Sequence, residues 1–88
     1  MTQSVVDVRE LKNIKEKVIG LKQTLRAIQQ DEVATVYTAN DLEEHILRKI
    51  AEPCREKNIP LLMVSLTQKD LGRVCQIEVG AAVVAILK

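Results

Sequence analysis

The chain has 88 residues, of which 47% are hydrophobic and 28% charged, with a formal net charge of +1. That length fits a single domain over 1–88 with a modest core, and the composition excludes a disordered segment. A charge so near zero also excludes a basic coat that grips polyanions indiscriminately.

Residues 1–4 read as a short tail. Residues 5–19 carry Leu11, Ile14 and Val18 at helical spacing, with Ser4 or Asp7 as a cap. Val18 and Ile19 are equally able to form a strand fragment leading into Gly20. Gly20 closes this segment and permits a backbone turn that other residues resist. From 21 to 30 the apolar side chains of Leu21, Leu25 and Ile28 fall on one stripe of a helix. Lys22, Gln23 and Arg26 then share a different face of its first turns. A helix N-terminus has unpaired N–H groups and a partial positive charge. Two cations and a carboxamide there can hold a phosphate and read a base edge; the plainer alternative is a solvated helix start.

Residues 29–32 make a turn, and the β-branched run 33–37 reads as a strand. A polar loop at 38–41 precedes a helix carrying Leu42, His45, Ile46, Lys49, Ile50 and Ala51. This helix should continue through Pro53, with a kink, to Lys57. After a turn at 58–60, residues 61–66 form an apolar strand. Thr67 caps a short helix over 68–75, with Asp70 three residues on as its acidic partner. The seven apolar residues 81–87 suit a strand buried on both faces. Alternating helices and strands without an internal repeat argue for an α/β sandwich with right-handed crossovers.

Charge is uneven along this order. Residues 1–30 hold six basic and three acidic side chains, and residues 31–60 hold four and seven. The positive character therefore gathers around the Gly20 stretch, as suits a local anion site.

Sites for chemistry are few. His45 and Glu44 are helix neighbours that point apart, and Asp41, four residues back, can only steady the imidazole. Cys75 ends a short helix, where thiols are not activated, and Cys54 reads as a small packing residue. Two cysteines and one histidine leave a zinc site short of ligands. Gly20, Gly72 and Gly80 form no phosphate cradle, and Glu43 and Glu44 occupy different faces. No enzyme and no cofactor are indicated. The start has no signal-peptide run, and 81–87 is too short to span a bilayer, so a cytoplasmic protein with reduced thiols is expected.

A second informative stretch is Gln76-Ile77-Glu78-Val79-Gly80. Apolar Ile77 and Val79 in a loop at the edge of the sandwich either contact a partner or pin the loop to the core.

Together, the run Gly20-Leu21-Lys22-Gln23-Thr24-Leu25-Arg26, the strand 33–37, the segment Leu71-Gly72-Arg73-Val74-Cys75 and the run Ile77-Glu78-Val79-Gly80-Ala81-Ala82 resemble the kink-turn-binding family of ribosomal proteins. The likeness extends from about Leu11 onward and is strongest to the small bacterial branch typified by YbxF. It implies an α/β/α three-layer sandwich with a mixed four-stranded sheet. It implies binding to an RNA helix bent at a bulge beside tandem sheared G·A pairs, in ribosomal or riboswitch-like RNA, by a monomer.

By position, the resemblance implies that Gly20 allows close approach, that Leu21 belongs to the same contact segment, and that Lys22, Gln23 and Arg26 face guanine edges and phosphates. Thr24 supports the turn. The resemblance likewise implies that Gln76, Ile77, Glu78 and Val79 cover bases flipped from the bulge, with Glu78 ordering the loop. Archaeal members carry Asn and Glu where this chain has Lys22 and Gln23. The carboxamide of Gln23 offers both an acceptor and a donor. A protein–protein adaptor on the same fold is the alternative reading; a thiol enzyme using Cys75 ranks last.

Overall fold

The computed structural model describes residues 16–75, 77 and 80–88. The helix expected over 5–19 lies outside them, except at its end, where Lys17–Ile19 forms strand β1. Next come helix α1 (Leu21–Gln29), strand β2 (Val33–Thr38), helix α2 (Glu44–Glu56), strand β3 (Leu61–Met63), helix α3 (Gln68–Val74) and strand β4 (Val83–Leu87).

The four strands form one mixed sheet in the order β1-β4-β2-β3. The all-apolar strand β4 is central, antiparallel to both β1 and β2, while β3 runs parallel to β2 on the outer side. This position explains why Val83, Val84 and Ala85 are all buried. Successive side chains point to opposite faces. Val83 and Ala85 join Ala27 and Ile28 of α1 and Ile50 and Cys54 of α2 in one core. Val84 joins Leu71 of α3 with Ala39, Val64, Cys75 and Ala81 in a second core. The sheet is thus covered on both faces, and the expected three-layer α/β/α architecture with a mixed four-stranded sheet is the one observed.

Val33 and Val36 both belong to the α1–α2 core although they are three residues apart. Strict alternation would send them to opposite faces. A register irregularity between Val33 and Thr35 inserts Ala34 and resets the phase.

Three boundaries within the described residues differ from the sequence reading by two residues or more. Strand β3 stops at Met63: the Val64 N–H makes the last bond to β2, at the Thr38 carbonyl (2.9 Å), and the chain then turns toward α3. Strand β4 begins at Val83, because the Ala81 N–H turns away from the sheet to the Gln68 carbonyl (2.8 Å). Helix α2 begins at Glu44. Pro53 lies inside α2 without ending it: a missing N–H so near the C-terminal end removes one ladder bond, and Lys57 still donates to the Pro53 carbonyl (3.1 Å).

Candidate nucleic-acid interface

The geometry of Gly20 fixes the start of α1. Its φ of 109° and ψ of 155° lie in a region almost reserved for glycine. This turn lets the chain leave β1 and enter α1 at once. The Gly20 N–H donates to the Val83 carbonyl (2.9 Å), and the Gly20 carbonyl accepts the Thr24 N–H (3.0 Å). A Cβ at Gly20 would also meet Oε1 of Gln23 at 3.3 Å. Gly20→Ala is therefore expected to lower stability by about 1–3 kcal/mol, the cost of a residue held in such a region. Urea unfolding of the two proteins measures it, and an unchanged midpoint would refute the strain.

Beyond Gly20, the α1 N-terminus is electropositive. Among the described residues no side chain caps it, and no acidic residue stands in its first turn. The other two described helices differ: α2 has Glu44 in its first turn, and α3 has Thr67 accepting the Asp70 N–H and Asp70 in its first turn. Lys22, Gln23 and Arg26 are exposed, adding two cations and a carboxamide to the N–H groups of the helix start. Leu21 is half-buried against the core. Thr24 is fully buried, and its N–H bonds back to the Gly20 carbonyl.

The loop between α3 and β4, described at Ile77 and 80–82, leads into β4 from the other layer. The Ile77 N–H donates to the Gly72 carbonyl (3.0 Å), and the Ile77 side chain packs, half-buried, on the core beneath α3. Gly80, Ala81 and Ala82 then lead into Val83, the first residue of β4. The Gly20–Val83 hydrogen bond thus joins the start of α1 to the end of this loop at one rim. Gln76, Glu78 and Val79 lie outside the described residues.

Neither cysteine is activated. Cys54 and Cys75 are buried free thiols, and burial pushes both above the ordinary thiol range. A thiol held protonated is a poor nucleophile. His45 is exposed, with Nδ1 3.9 Å from the Glu43 carboxylate. Lys57 donates to Asp31 at 2.8 Å and holds that carboxyl below its usual range, at the far end of α1.

Sequence reasoning missed one pair. Asp41 does not steady His45: its Oδ1 accepts the Gln68 N–H at 2.9 Å, across 27 residues of chain. The polar loop at 38–41 directly precedes α2, and nothing local marks α3 as the helix that Asp41 serves.

The family model for the ribosomal protein L7Ae/L30e/S12e/Gadd45 family matches residues 4–88. An RNA-binding protein of Caldanaerobacter subterraneus subsp. tengcongensis is 50% identical over 70 residues, covering 80% of this chain and 84% of the relative. The RNA-binding protein YbxF of Geobacillus stearothermophilus is 44% identical over 71 residues, covering 81% and 85%. Among solved structures, the Giardia lamblia 15.5kD RNA binding protein superposes with a TM-score of 0.79 at 22% identity, covering 92% of this chain and 68% of that one. A Bacillus halodurans protein of unknown function superposes with a TM-score of 0.80 at 21% identity, covering 92% and 80%. These two structures speak to the fold alone.

Proposed function

We propose that this chain, which belongs to the ribosomal protein L7Ae/L30e/S12e/Gadd45 family, binds RNA and that its target is a kink-turn, which it stabilises in the bent form. The observation that carries this reading is the glycine-led, uncapped start of α1, with Lys22, Gln23 and Arg26 exposed and the loop before β4 tied to it through Val83.

The physics follows from RNA shape. An ordinary A-form major groove is too deep and narrow for side chains to read. A groove widened at sheared G·A pairs admits a helix end. Free N–H groups, Lys22 and Arg26 then meet phosphates, while Gln23 pairs with a base edge. Ile77 and Val79 cover bases displaced from the bulge. A net charge of +1 favours recognition of shape over a general electrostatic grip. Binding the kinked conformer alone shifts the RNA population toward it. The protein acts as a cytoplasmic, ribosome-associated monomer, one copy to a kink.

A gel shift tests the target. The protein is expected to retard a kink-turn RNA and to lose that shift when the sheared G·A pairs become Watson–Crick pairs. Equal retardation of plain duplex would refute kink-turn recognition. The relatives are binders, and no step here needs a thiol. Cys75→Ser is accordingly expected to keep RNA affinity within about threefold, as for a substitution outside the interface. A larger loss in a titration would place Cys75 in function.

A further inference from the structure

We propose that Asp41 is a positioning residue for the loop before β4, acting through Gln68. The inference rests on the RNA-binding reading above and adds to it a residue that touches no RNA.

Gln68, the first residue of α3, is held from two sides. Its N–H donates to Asp41 Oδ1 (2.9 Å), and its side-chain Nε2 lies 3.4 Å from the Asp41 carbonyl. Its own carbonyl accepts the Ala81 N–H (2.8 Å). At Gly80, a Cβ would meet the Gln68 carbonyl carbon and oxygen at 3.3 Å, so the loop backbone lies directly on Gln68. The segment carrying Asp41 is fixed in turn: Ala39 donates to the Ala82 carbonyl (3.0 Å) and Asn40 to the Leu66 carbonyl (2.8 Å). Asp41, Gln68, Ala81, Ala82 and Ala39 therefore close a ring of hydrogen bonds and chain. That ring fixes where the loop re-enters the sheet, beside Val83 and Gly20.

The chemistry of Asp41 suits the role. A carboxylate accepts strongly from an N–H at a helix start and opposes the positive end of the helix dipole. Thr67 already satisfies the Asp70 N–H, so Asp41 supplies a second and distant cap to α3. An exposed carboxylate near a bound polyanion would otherwise only repel it. The sign of a substitution thus separates the two roles.

The experiment compares wild type with Asp41→Ala, Asp41→Asn and Gly80→Ala. It measures amide hydrogen exchange at Gln68 and Ala81 in the free proteins, and affinity for a kink-turn RNA. Asp41→Ala is expected to speed exchange at both amides and to weaken RNA binding about threefold to thirtyfold, the range set by losing a helix cap. Asp41→Asn keeps an acceptor oxygen and is expected to restore both. Gly80→Ala pushes on the same carbonyl without touching Asp41 and is expected to speed exchange at Ala81. Unchanged exchange in Asp41→Ala and Gly80→Ala would overturn the clamp. So would RNA binding by Asp41→Ala at or above wild-type strength, or failure of Asp41→Asn to restore it. If wild type shows no preference for the kink-turn, the RNA reading fails instead, and exchange in the free proteins still decides the clamp.

Discussion

Replacing Lys22 or Gln23 by alanine is expected to weaken kink-turn binding by about 1–3 kcal/mol each, the range for a direct phosphate or base contact. The two losses should differ in kind. Lys22→Ala removes a cation and should lower the salt dependence of binding by about one counterion. Gln23→Ala removes a neutral hydrogen-bonding group and should leave that dependence unchanged. Both side chains are exposed, so neither substitution should move stability beyond roughly 0.5 kcal/mol. Titrations at several salt concentrations check both statements. Unchanged affinity in both variants would move the interface off α1.

Ile50→Ala is expected to destabilise the protein by about 2–5 kcal/mol, the range for a large aliphatic side chain removed from a packed core. Ile50 is 0% exposed and lies in the core that joins α1 and α2 to the sheet. In a domain this small, each kcal/mol shifts the melting temperature by about 4–8 °C. Thermal unfolding beside Lys49→Ala, an exposed neighbour on the same helix, isolates the effect. A loss below about 1 kcal/mol at Ile50 would contradict close packing at that point.

What could be read from the sequence depended on the range of the interaction. Helix α1 was legible because Leu21, Leu25 and Ile28 repeat at helical spacing and face one core. The Thr67 cap was legible because it is closed within three residues, by the Asp70 N–H. The burial of β4 on both faces was legible because a seven-residue apolar run suits a strand covered from both sides.

Longer-range features left weaker traces. The reset of phase at Ala34 depends on pairing with β4 and has no glycine or proline to mark it. Strand β1 is three residues long and gains its identity from pairing with β4. The Asp41–Gln68 bond spans 27 residues and exists only once β2 and β3 lie side by side. The Gly20 stretch stood out for its residue types, yet the joining of its backbone to Val83 is a product of the folded sheet.

A protein that holds RNA in a bent form brings the two ends of a kink-turn duplex together, which fluorescence transfer between those ends reads without intermediary. In buffer without divalent ions, added protein is expected to bring the ends together and raise the transfer efficiency to saturation. A duplex with its G·A pairs replaced should show no rise. Binding without any change in transfer, or an equal change in both duplexes, would refute stabilisation of the kink.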